Sequence, residues 1–308
     1  VGQGVSSGYP KSDFLDQAVA PVFVLIWSTG FIGARYGMPH AEPATFLALR
    51  FGGVLALMIP LILVLRLPLP PRPQVAHLAV AGLLIQGGYL LGVFEAIRQG
   101  MGAGLAALIV GLQPILTAVL GSLVSERVTP RQWRGLALGF AGVTLVVWER
   151  LTLSGLSSLG IVAAIGALCA ITLGTLYQKR FVPHFDLRTG SVVQFGAALL
   201  LVVPVSFLAE TRAVAWTGQL VGALLWSVVA LSLGATSLLF LLIRRGAATR
   251  VASLMYLTPA VTAVMAWLLF DERLGLVMVA GMAITAAGVA SMLHAAPWRG
   301  ERTRPRTA

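Results

Sequence analysis

The sequence predicts an all-α integral membrane protein with ten transmembrane helices, arranged as two inverted five-helix repeats. Three observations predict it: ten apolar runs of roughly twenty residues each, an uneven distribution of basic residues among the connections, and ordered residue matches between the two halves. Composition restricts the alternatives. Of 308 residues, 57% are hydrophobic and 11% charged, against about 25% charged in ordinary soluble domains. A water-soluble fold has no means of hiding that much apolar surface. In hydrocarbon every backbone N–H and C=O must be paired within a helix or a closed barrel, and the runs lack the period-two alternation of strands, which selects helices.

In chain order the spans fall at 18 to 36, 44 to 65, 76 to 97, 101 to 124 and 132 to 148, then at 157 to 177, 187 to 208, 220 to 243, 249 to 270 and 274 to 293. Charge, Pro and Gly punctuate them. The first run reaches Trp27 and Arg35 without a small-residue cleavage pattern, so it reads as a retained span and not a signal peptide. The expected organisation is a cytoplasmic segment at 1–17, one repeat at 18–150, a second, inverted repeat at 151–296, and a basic cytoplasmic tail at 297–308.

The basic residues orient these spans. One set of alternate loops and tails holds sixteen of the 22, among them Lys179, Arg180, Arg244 and Arg245. The other set holds five, Arg35, Arg98, Arg150, Arg212 and Arg273, and Arg50 falls inside a span. Cytoplasmic loops carry the excess of Lys and Arg, so both termini are expected in the cytoplasm and the chain in the cytoplasmic (inner) membrane. This placement accounts for the net charge of +11 and the pI near 11.1 without a nucleic-acid partner, for which a basic stripe interleaved with aromatics is wanting. The single cysteine, Cys169, lies within a span, excludes an intrachain disulfide and reads as a small packing residue.

The halves match in order. Gln113-Pro114-Ile115-Leu116-Thr117-Ala118-Val119 aligns with Thr258-Pro259-Ala260-Val261-Thr262-Ala263-Val264 at an offset of 145. At 146, Arg98-Gln99-Gly100 meets Arg244-Arg245-Gly246, Ser125-Glu126-Arg127 meets Asp271-Glu272-Arg273, and Gly135, Gly142 and Val143 meet Gly281, Gly288 and Val289; at 144, Phe51-Gly52 meets Phe195-Gly196. Five spans per unit is an odd number. The second copy therefore enters the membrane from the opposite side, the inverted repeat that secondary transporters use for alternating access.

On these segments the chain resembles the EamA-like members of the drug/metabolite transporter superfamily, whose ten-helix exporters include YddG-type amino-acid exporters. The resemblance covers nearly the whole chain and rests on Arg98-Gln99-Gly100, Gln113-Pro114, Ser125-Glu126-Arg127, and the second-half run from Arg244 through Thr258-Pro259 to Asp271-Glu272-Arg273. It implies that the fourth and ninth helices, with the first, third, sixth and eighth, surround a central cavity. It implies export of amino acids, other metabolites or toxic compounds.

Few residues within the spans carry chemistry. Glu95 is the only acid inside a span, and all four histidines lie at span ends. Arg50 lies about 9 Å below the outer end of its helix and Glu95 about one turn below the outer end of its own. These depths are compatible with an ion pair that clamps the two helices, the reading preferred here; the alternative is a carboxyl that faces the cavity and couples proton movement to transport. Pro114 and Pro259 each sit mid-span beside a polar residue, Gln113 or Thr258, and are expected as paired bending points lining the cavity. Trp27, Gln86, Tyr89, Ser232, Thr236, Ser237 and Tyr256 are the other mid-span polar or aromatic groups on helices that the resemblance places around it. Amide, hydroxyl and π faces with few fixed charges suit a zwitterionic or moderately apolar solute better than a phosphate ester. Gly135 and Gly139 form a small-xxx-small pair for helix packing or dimer contact.

The expected function is export of small solutes, most of all amino acids or related metabolites, across the cytoplasmic membrane by alternating access. The alternative substrates are drugs or other toxic compounds; the alternative classes are a membrane-embedded enzyme or a channel. No phosphate-binding Gly-x-x-x-x-Gly-Lys-Ser/Thr loop, His-Glu-x-x-His or Gly-x-Ser-x-Gly motif occurs, so neither enzyme chemistry nor a metal or cofactor is expected. The expected partners are a small-molecule substrate and the bilayer, with the chain a monomer or weak homodimer.

Overall fold

A computed structural model describes residues 13–124, 130–154, 156–235, 237–238, 257–272 and 274–293. Helices follow one another as the apolar runs dictate. In the first half α1 is Asp13–Gly37, α2 Pro43–Val64, α3 Arg72–Arg98, α4 the two pieces Ala103–Val110 and Gln113–Val124, and α5 Pro130–Ser154. In the second half α6 is Ser158–Phe181, α7 Leu187–Ala209, α8 Gly218–Ala235, α9 Thr258–Phe270 in its described part, and α10 Leu276–Leu293. Among the described residues there is no strand, only an isolated bridge between Ala41 and Val214. Five of these helices, α2, α3, α6, α7 and α8, are long and apolar enough to cross a membrane. Large apolar side chains such as Val64, Leu208 and Leu276 point outward, as a hydrocarbon surround permits.

The packing repeats with the sequence. α5 lies against α10, α2 against α7, α4 against α9, α3 against α6, and α1 against α8. Advancing each helix number by five exchanges members of this set with one another, as a two-fold relation between the repeats requires. Two side-chain observations mark the relation. Phe51 and Phe195, equivalent in the two halves, meet each other with ring centroids 5.6 Å apart. Gly142 abuts Gly281 while its equivalent, Gly288, abuts Gly135: a Cβ on Gly142 would lie 2.5 Å from the Gly281 carbonyl oxygen, and one on Gly288 2.6 Å from that of Gly135.

Small residues at these points let the α5 and α10 backbones approach closely enough for dispersion to hold them where no hydrophobic force between helices exists. The face that carries Gly135 and Gly139 is thereby covered within the chain. Cys169 departs from its expected packing role and is exposed on α6.

Two spans at equivalent places are underwound by π turns, Leu83–Gly88 in α3 and Trp226–Ala235 in α8. The connections after α1, α3, α7 and α9 gather on one face. Glu42 pairs with Arg98, His40 with Gln219, and Glu272 with the amide of Ala103. On the opposite face His77, near the start of α3, bonds Tyr177 near the end of α6.

Candidate functional site

The two repeats enclose a cavity in two adjoining chambers. The larger, about 440 Å³, is walled by α1, α3, α4, α6 and α9, within the ~300–1,000 Å³ typical of small-molecule sites. The smaller, about 100 Å³, lies between α1, α2, α3, α6, α7 and α8. Trp27, Phe31, Tyr89 and Ile171 line both.

A break in α4 builds the larger chamber. Pro114 has no N–H to continue the helix and its ring excludes a carbonyl one turn back, so α4 parts at Gly111-Leu112 and restarts at Gln113. Glycine is required at the break: a Cβ on Gly111 would sit 2.8 Å from Cγ of Pro259. The repeated prolines thus mark the crossing of α4 and α9, one ring seated on the other helix's glycine. Beside it Gln113 Nε2 donates to Thr175 Oγ1 at 3.3 Å. Thr258 Oγ1, on the α9 side, is buried with no hydrogen-bond partner.

The π turns build the smaller chamber. They carry Gln86 on α3 and Ser232 on α8 to its wall. Opposite, on α2, the Arg50 side chain is buried, with the residue 6% exposed. Its Nε and Nη2 donate to Ser232 Oγ at 3.3 and 3.2 Å, and that hydroxyl donates to the Ser227 carbonyl at 2.9 Å. Aromatic rings of Phe31, Phe94 and Phe195 stand on the same wall.

The face of the odd-numbered connections is tied shut across the repeats by three carboxylates. Glu210, at the end of α7, accepts from Ala44 N at 2.7 Å, Thr45 N at 2.8 Å and Thr45 Oγ1 at 2.7 Å, capping α2. Glu42 accepts from Thr211 N and Oγ1 at 2.6 and 2.7 Å, from Arg212 N at 3.1 Å and from Arg98 Nη2 at 3.0 Å. Glu272 caps α4 through Ala103 N at 3.0 Å and lies 3.9 Å from Arg35. Carboxylates at helix N-termini satisfy orphan amides and the positive end of the dipole. The Thr211 hydroxyl bond foremost, with the Thr211 and Arg212 amides and the Arg98 charge, holds the Glu42 carboxyl below its ordinary value of 4.5 against the opposing effect of burial.

The model of the EamA-like transporter family matches residues 18–148 and again residues 158–293, once for each repeat. The chain belongs to the EamA-like transporter family. It is 28% identical over 286 residues to a "Probable amino-acid metabolite efflux pump" of Salmonella typhimurium (strain LT2), covering 89% of this chain and 93% of that one. A protein of the same name from Escherichia coli (strain K12) is 25% identical over 296 residues, covering 92% and 96%. A solved crystal structure, 18% identical, matches 93% of this chain and 100% of its own with a TM-score of 0.63, a likeness of fold alone.

Within this EamA-like transporter, Trp27, Gln86, Tyr89, Gln113, Thr258, Pro114, Pro259 and Arg50 all come to the cavity wall. Ser237 is exposed and lines neither chamber; Thr236 and Tyr256 lie outside the described residues.

The expected Arg50–Glu95 clamp is not formed. Glu95 Oε1 accepts from Gln99 Nε2 at 2.6 Å, one turn along its own helix. Depth along the axis allowed the pair, but azimuth forbids it. Six residues separate Glu95 from the cavity-lining Tyr89, which at 3.6 residues per turn turns its side chain about a third of a turn away. Sequence reasoning passed over Phe31, Thr117 and Thr175. Each lies four residues from another lining residue, Trp27, Gln113 or Ile171, so the helical period was the available signal.

Proposed function

We propose that this protein exports amino acids or closely related metabolites across the cytoplasmic membrane by alternating access. The observation that carries the reading is the joint construction of the cavity: broken α4 from one repeat and α9 from the other cross at its wall, while carboxylates of each repeat cap backbone of the other on one face only among the described residues. A rocking of one repeat against the other opens the capped face and closes the opposite one. The names of the Salmonella and Escherichia coli relatives support efflux of amino-acid metabolites as the solute class.

The sixteen-to-five distribution of basic residues supports a cytoplasmic location for both termini and an external one for the capped face. The two working units are then 18–150 and 151–296, and the larger chamber is the one nearer the cytoplasm. Trp27, Tyr89, Gln113 and Thr258 contact solute from both repeats, and the Pro114 and Pro259 crossing is the point about which the halves bend. Amides, hydroxyls and aromatic faces suit a solute with mixed polar and apolar parts. Among the described residues a cationic drug finds no carboxylate on either chamber wall.

Purified protein in liposomes preloaded with labelled amino acids or labelled cationic drugs tests this reading. Saturable loss of amino acids, and not of cationic drugs, is the expected outcome. Loss of the drugs alone overturns it.

A further inference from the structure

Arg50 is, among the described residues, the one cation on the walls of the two chambers, and it is buried there with no anion beside it. Among the described residues the ion pairs are Arg35–Glu272, Arg98–Glu42 and Arg188–Asp186, none of which reaches it. A guanidinium has five N–H donors. Ser232 Oγ receives two of them at long range, 3.2 and 3.3 Å, and is itself committed to the Ser227 carbonyl. A charge withdrawn from water and left unpaired is costly. The cost is recovered when a solute brings the missing anion, and the planar fork of arginine fits a carboxylate through two parallel bonds.

We propose that Arg50 is the receptor for the carboxylate of the transported solute, so that the substrate class is a monocarboxylate with an apolar or aromatic body. The proposal rests on the export reading and names the substrate chemistry of that same cavity. A single guanidinium neutralises one negative charge. A phosphate ester would require further basic groups, and among the described residues neither chamber wall offers them. Around Arg50 the wall is Phe31, Phe94 and Phe195, with Trp27 and Tyr89 at the junction of the chambers. Bound there, a carboxylate points its apolar body along these rings into the larger chamber. Gln86, on the same wall, is placed to donate its amide to the second carboxylate oxygen.

The test uses the full chain in proteoliposomes preloaded with labelled L-phenylalanine or labelled 3-phenylpropionate, with unlabelled L-phenylalanine, 3-phenylpropionate and L-phenylalaninamide as competitors. In the wild type both acids are expected to compete, and the amide, which lacks the carboxylate, to be weaker by about ten- to a hundredfold, as expected for loss of charge-assisted bonds. Arg50→Gln is expected to raise the half-saturating phenylalanine concentration at least about tenfold and to erase discrimination between acid and amide; Arg50→Lys restores part of it. A purely structural arginine would change the amount of active protein and leave that discrimination intact. Equal competition by acid and amide in the wild type overturns the proposal. So does undiminished discrimination in Arg50→Gln. The wild-type comparison needs no variant, so misfolding of Arg50→Gln leaves the test in force. Transport of 3-phenylpropionate with no amino acid moved would refute amino-acid export and support the carboxylate receptor. Transport of phenylalanine and its amide at equal affinity would support export and refute the receptor.

Discussion

Replacing Glu210 by Gln should open the capped face. The wild-type carboxylate accepts three bonds from the first turn of α2, at 2.7, 2.8 and 2.7 Å. Gln has the same shape but one acceptor oxygen, and its NH₂ must turn toward the Thr45 amide or hydroxyl, so at least one charged bond is lost and a donor faces a donor. Hydrogen bonds to charged groups contribute about 1.5–3 kcal/mol each. For a partly buried group we take a net loss of about 2 kcal/mol, which is about thirtyfold in the ratio of closed to open at ~1.4 kcal/mol per tenfold. The assay is labelling of Thr117→Cys, in a Cys169→Ala background, by a membrane-impermeant maleimide added outside intact cells. Thr117 lines the larger chamber, so with the capped face outward, as proposed, external reagent reaches it only once that face opens. Glu210→Gln should raise the labelling rate by about thirtyfold, the full population shift. An unchanged rate in a variant that still folds and transports would refute the latch and leave Glu210 a cap common to both states.

Three further outcomes follow from the geometry. Because the Glu42 carboxyl is held below its ordinary 4.5, its contribution to stability is complete above that value and lost as pH falls through the lowered one; wild-type and Glu42→Gln melting temperatures should differ by a constant amount from pH 8 to pH 5 and converge only in stronger acid. Gly142→Leu should lower the melting temperature or abolish folding, since overpacking costs about 1–3 kcal/mol even before the Gly281 backbone is displaced, and an unaltered melt would contradict the close α5–α10 contact. Glu95→Gln should leave stability and phenylalanine exchange near wild type, because its partner is Gln99 on the same helix and not Arg50; a collapse in either, measured by melting and by exchange in liposomes, would restore a structural role for that carboxylate.

What was legible in the sequence is what one dimension records. Span length and polarity placed the helices, and a bilayer imposes them on any chain with these runs. The residue offsets located the equivalences that the contact of Phe51 with Phe195, and the paired contacts of Gly142 with Gly281 and Gly288 with Gly135, then realise in space. Relations in azimuth and across the repeats were not legible. Glu95 matched Arg50 in depth yet turns to Gln99 on its own helix, which no count of residues from a helix end could reveal. The π turns under Gln86 and Ser232 have no compositional mark, being a response to packing. Glu42, Glu210 and Glu272 read only as loop acids, because each is held across the repeats by backbone amides some 165 to 170 positions away that carry no side-chain signature.

Exchange across the membrane distinguishes a carrier from a pore. Liposomes preloaded with labelled L-phenylalanine, diluted into buffer with or without excess unlabelled L-phenylalanine, separate a carrier that returns loaded from a pore that does not. Alternating access about the α4–α9 crossing predicts saturable efflux that the external solute accelerates, because the loaded carrier reorients back while the empty one lags. Efflux that is linear in internal concentration and indifferent to solute outside would contradict it.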